Sequence, residues 1–114
     1  MIAMPAFAST VAWTLPTTFV DDTAIPTASQ ARITVRLFNG STSALCLSAS
    51  VPFASSTAGS TLWTGTLPVV TRGATSYYCA TALLDGMESV KSPTVVYTVP
   101  FVAPKAPGVI TIQF

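Results

Sequence analysis

The sequence contains no histidine, and only nine of its 114 residues carry a formal charge: five Lys or Arg and four Asp or Glu. Lack of histidine removes the commonest general base and metal ligand together. No Ser/His/Asp or Cys/His arrangement can be assembled, and two cysteines without histidine leave a zinc site short of ligands. Lys91 and Lys105 are available for a Ser–Lys pair, but neither stands in a Ser-x-x-Lys context. No glycine-rich phosphate loop is present. The chain is therefore read as non-enzymatic, with no catalytic residue, cofactor or metal site.

Charged residues make up 8% of the chain, against roughly 25% in ordinary soluble domains. The hydrophobic share is 50%, and the mean hydropathy is +0.61. So little charge gives little colloidal repulsion, and partners are expected to cover much of the surface. A net charge of +1 and a pI near 7.8 give no footprint for nucleic acid or an anionic membrane. Arg32 and Arg36 read as solvent-facing edge charges. No apolar run reaches the roughly 20 residues of a spanning helix. The opening "MIAMPAFAST" lacks the basic start and full apolar stretch of a signal peptide. It is read as an extended arm over residues 1–10.

Helix signals are nearly absent. Nine prolines and six glycines interrupt any 3.6-residue apolar period, while short alternating runs recur between turn clusters. "STVAWTLP" places Val11, Trp13 and Leu15 on one face. "ARITVRLFNG" places Ile33, Val35 and Leu37 on one face and Arg32, Thr34 and Arg36 on the other, with Asn39-Gly40 as a tight turn. "SALCLSASV", "STLWTGTLP", "ATSYYCATALLDG" and "SPTVVYTVP" follow as further strands. Thr17 to Gln30 reads as a long loop, in which Asp21 and Asp22 mark a solvated turn rather than a Ca²⁺ site, which needs about 6–8 oxygen ligands. Strands at this spacing without helices predict an all-β protein, a single antiparallel β-sandwich or barrel.

The order of these segments resembles a fibronectin type III domain, within the wider group of immunoglobulin-like sandwiches. "VAWTLPTTFVDDTAIP" is similar to that family's second strand and following loop, and "ARITVRLFNG" to its third strand. "LWTGTLPVVTRGATSYYCATALLDGMESVKSPTVVYTVP" is similar to its closing half. The resemblance covers about Val11 to Pro100 and implies a β-sandwich over residues 11–100, flanked by arms at 1–10 and 101–114. It implies that Trp13 is the core tryptophan and that Tyr77 is the corner tyrosine. Alternation from Tyr77 then turns Cys79, Thr81 and Leu83 inward. Tyr78, Ala80, Ala82 and Leu84 turn outward, as an apolar contact patch. In the same frame Cys46 and Cys79 lie on non-adjacent strands of one sheet. They are expected to be buried free thiols, which suits reducing assembly.

The family's first strand should precede Val11 after a proline-rich lead, and "MIAMPAFAS" matches this poorly. "PKAPGVITIQF" matches it better, at the other end of the chain. That tail reads either as the start of a truncated second domain or as a working strand seeking a sheet edge. Val109, Ile110, Ile112 and Phe114 would make an unpaired strand an aggregation hazard, and low charge favours the working strand. Charge-poor sandwiches with apolar arms resemble virion proteins of tailed bacteriophages. The resemblance implies a capsid decoration (cement) protein, assembled in the host cytoplasm and bound to the major capsid protein or to copies of itself. A tail or head–tail subunit is the near alternative. A secreted adhesion or carbohydrate-binding module is the competing class, in which Trp63 with Tyr78 or Tyr97 would stack on a surface glycan.

Overall fold

The computed structural model describes residues 9–101, together with 105, 106, 108, 109 and 111–113. Two antiparallel sheets form an all-β, sandwich-like fold with two short helices. The smaller sheet pairs β1 (Ser9–Ala12) with β4 (Leu62–Gly65), placing Val11 opposite Trp63. Strand β1 therefore begins inside the stretch expected to be the N-terminal arm. The remainder of that arm lies outside the described residues.

The larger sheet is organised around β5 (Thr75–Leu84), its longest strand. One side of β5 pairs with β2 (Thr34–Gly40), and β2 pairs in turn with β3 (Ala54–Ser55). On the other side, β6 (Met87–Glu88) pairs with Leu83 and Leu84, and β7 (Val95–Thr98) with Thr75 to Tyr78. Asp85 and Gly86 close the β5–β6 hairpin, both at positive φ.

The β2–β5 register decides which side chains share a face. Val35 lies opposite Ala82 and Leu37 opposite Ala80, while Asn39 lies opposite Tyr78. Tyr78, Ala80 and Ala82 therefore belong to the face of Val35 and Leu37, both 4% exposed. Phe53 joins this face to the smaller sheet, packing edge-on against Tyr78 of β5 and Trp63 of β4 at 5.8 and 5.7 Å. The expected outward patch is thus corrected. Tyr78 is buried at 8% exposure, and Ala80, Ala82 and Leu84 are half-buried.

The opposite face, with Phe38, Cys79 and Tyr77, is covered by a helix where a strand was expected. Residues Ser43–Ser48 of "SALCLSASV" form α2, with the Thr42 hydroxyl accepting from the Leu45 amide at 3.2 Å as N-cap. The expectation of free thiols is also corrected: Cys46 of α2 and Cys79 of β5 form a disulfide. With Phe38 they make a buried cluster, against which Tyr77 and Ala49 pack. Gly40 serves this packing rather than a turn, since a Cβ there would collide with the backbone of Leu45 and Cys46.

Trp13 is half-buried, with its indole N–H donating to the Ser60 carbonyl at 2.9 Å. In the expected loop, Asp21 accepts from the Thr23 amide and hydroxyl, and a bridge joins Thr18 to Ala24. The Asp21–Asp22 segment is accordingly a self-contained exposed turn, followed by one helical turn, α1 (Thr27–Gln30).

The disulfide spans 33 residues, a loop for which chain-entropy reasoning gives about 3–4 kcal/mol of stabilisation. The double variant Cys46→Ala/Cys79→Ala should lose roughly that amount in urea denaturation, and reductant should lower the wild-type midpoint but not the variant's.

Candidate interaction surface

Helix α2 and the segment after β6 bound a groove of about 560 Å³ on the helix-bearing face. Phe38 floors it, Leu47 and Val90 form an apolar rim, and Arg36, Thr81, Glu88 and Lys91 form the polar wall. Arg36 and Thr81 face each other across the β2–β5 ladder, which brings both to the carboxylate of Glu88. The Arg36 guanidinium donates to Glu88 Oε1 at 2.7 Å, and the Thr81 hydroxyl donates to Oε2. The Thr81 bond foremost outweighs the upward push of burial and, with the charge and hydrogen bond of Arg36 and the charge of Lys91 adding to it, holds this carboxyl below its ordinary value.

Lys91 ties the other wall together. Its ammonium donates to the carbonyls of Leu47 and Ala49 at the end of α2, which a helix leaves without intrahelical partners. The same ammonium sits 4.2 Å from the centroid of Phe38, within reach of a cation–π attraction. Every charged group of the groove thus has a partner within it. What remains for an incoming molecule is apolar surface and shape. Leu45 and Leu47 of α2 stand half-exposed, and Val51, Met87 and Val90 are largely exposed.

Two further apolar regions are open. All four residues of β7 are exposed, including Val95, Val96 and Tyr97. In the tail, Val109 is 100% and Ile112 70% exposed. Ile110 and Phe114 lie outside the described residues. The hydroxyl of Tyr78 is buried without a hydrogen-bond partner among the described residues, and burial pushes its phenol pKa up. Trp63 is half-buried against Phe53 rather than displayed beside Tyr78 or Tyr97 as a stacking platform.

Among the described residues no group of three or more Cys, Asp or Glu side chains is placed to hold a metal ion. Among the same residues no helix is long and apolar enough to cross a membrane. Sequence reasoning missed the groove because it read α2 as a strand. The available signal was Thr42 as an N-cap before Ser-Ala-Leu. No protein-family model, curated protein or solved structure matches this chain.

Because the folded pKa of Glu88 is depressed, its contribution to stability is present above the ordinary value of 4.5 and is lost as pH falls through the lower folded value. Thermal midpoints measured from pH 7 down to acid should therefore drop below about pH 4.5 in the wild type. Glu88→Gln should flatten that part of the profile, leaving the dependence due to Asp21, whose pKa is lowered by its bonds to Thr23.

Proposed function

We propose that this chain is a fibronectin type III-like structural protein of a tailed-bacteriophage virion, acting as a capsid decoration (cement) protein. It would grip the major capsid protein, copies of itself, or both, through its tail and sheet edges. The carrying observation is apolar surface left uncovered beside a two-sheet body: Val109 is wholly exposed and Ile112 largely so. Exposed apolar residues in an alternating run are satisfied by joining a neighbour's sheet.

Two antiparallel sheets are compatible with such a sandwich. Of the two strands the resemblance sets beside β2, β5 is in place, whereas the Cys46 segment is the helix α2 and the two residues of β3 pair there instead. The disulfide replaces the argument from free thiols. Such bonds persist in oxidising settings that include virion surfaces, so assembly in the cytoplasm would precede closure of Cys46–Cys79. The same bond favours the secreted adhesion module as a second reading, although half-burial of Trp63 counts against a glycan platform.

Deleting Pro104 to Phe114 should leave the circular dichroism and thermal midpoint of the sandwich unchanged and abolish incorporation into particles, scored by electron microscopy and light scattering. Full incorporation of the truncated chain would refute the tail's role. A native protein that stays monomeric and ignores shells and tails would remove the virion assignment.

A further inference from the structure

Strand β7 occupies an edge. It pairs with β5 on one side, and no described strand pairs with the other. The amide of Val99 donates to the carbonyl of Ala74, which fixes the phase of the ladder. In an antiparallel pair the bonding direction alternates along the strand. Val95, Tyr97 and Val99 accordingly turn their backbone groups toward β5, and Thr94, Val96 and Thr98 turn theirs outward. Those outward groups form a template for another strand.

The devices that ordinarily blunt an edge are missing here. No charged residue occurs between Ser92 and Phe101. Pro93 and Pro100 flank the strand instead of interrupting it, and Pro100 ends the outward ladder after Thr98. The other edges of the larger sheet are less inviting: β3 is two residues long, and β6 is two residues that include Glu88.

The segment Thr94-Val95-Val96-Tyr97-Thr98 is self-complementary about its centre. We propose that β7 pairs antiparallel with β7 of a second copy, around a two-fold axis at Val96, so that the two larger sheets become one. Val96 then faces Val96, Val95 faces Tyr97 and Thr94 faces Thr98. The β-branched and aromatic–β-branched pairs are favourable cross-strand combinations, while Thr94 and Thr98 keep their hydroxyl bonds to Ser43 and Thr75 of their own chain. Thr94, Val96 and Thr98 are also the residues whose backbone groups point outward, so every outward group meets a partner. A charge on the axis would face its own image in such an isologous contact, and none is present.

The second copy's tail is the rival occupant. The ring of Phe101 sits where a side chain on Gly73 would be, with Gly73 at positive φ. This fixes Phe101 against the turn before β5. The ladder is short, with β7 only four residues long. Pairing is therefore reversible and dependent on concentration.

The inference stands apart from the decoration reading, because it concerns the isolated chain in solution. Sedimentation equilibrium of the full chain should show a monomer–dimer equilibrium rising with concentration. Val96→Lys and Val96→Glu, at a side chain that is 59% exposed, should each keep the wild-type thermal midpoint and sediment as monomers. An equal mixture of the two should recover the dimer, since opposite charges then meet on the axis. The proposal is overturned if the wild type is monomeric throughout, if either variant dimerises like the wild type, or if the mixture stays monomeric. Loss of the dimer on deletion of Pro104 to Phe114 would assign the contact to the tail and equally overturn it.

Discussion

The contact on which the rest of this structure depends is the seating of α2 on β5 through the Cys46–Cys79 disulfide, over the ring of Phe38. The helix is only six residues long, too short to persist on its own propensity. Four local features hold it: the Thr42 cap, the bare backbone of Gly40, the disulfide, and the Lys91 ammonium on its last carbonyls. Together they keep Phe38 covered, at 2% exposure. Burial of a phenylalanine side chain is worth about 1.5–3 kcal/mol, a large fraction of the margin of a small domain. The covalent tie matters more here than on a longer helix, because nothing else in α2 reaches the core.

Seating the helix gives the larger sheet two covered faces. An antiparallel sheet usually keeps one wet face and signals it by polar alternation. Here the Val35, Leu37 and Tyr78 face meets the aromatic stack of Phe53 and Trp63, and the Phe38 and Cys79 face meets α2. Strand β5 can therefore be apolar on both sides with Tyr78 and Cys79 buried and its other apolar residues half-buried. Part of the charge poverty is explained by this geometry. The remainder is not internal: Val95, Val96 and Tyr97 of β7, Leu47 and Val90 at the rim of the groove, and Val109 and Ile112 of the tail are exposed.

Much of the fold was legible. The alternation of Ile33, Val35 and Leu37 marks a strand face, and all three side chains are buried. Turn residues at Asp85-Gly86 mark a hairpin that forms. What failed, failed for physical reasons. "SALCLSASV" alternates like a strand, yet a polar cap and one disulfide outweigh six residues of pattern. The parity of β5 could not be fixed internally, because its two faces are equally apolar in sequence. Only the register against β2 settles that Tyr78 shares a face with Leu37. The disulfide was invisible because its geometry depends on Cys46 lying on a helix above β5 rather than on a strand beside it. Of the candidate surface, the tail was legible as apolar, and its Val109 and Ile112 are exposed. The groove was not, since it exists only when α2 and Glu88 meet over β2.

Two covered faces leave a small sandwich few ways to contact other molecules. The faces around β2 and the middle of β5 are occupied from within, so attachment falls to the exposed strand β7, to the rim of the groove and to the tail. Edges supply backbone hydrogen bonds whose direction is fixed, and this makes them selective for geometry rather than for side-chain charge. A protein with nine charged residues has little electrostatic means of choosing partners. Strand pairing and apolar fit are the recognition that remains to it, and the same charge poverty that leaves β7 unprotected makes it fit for that use.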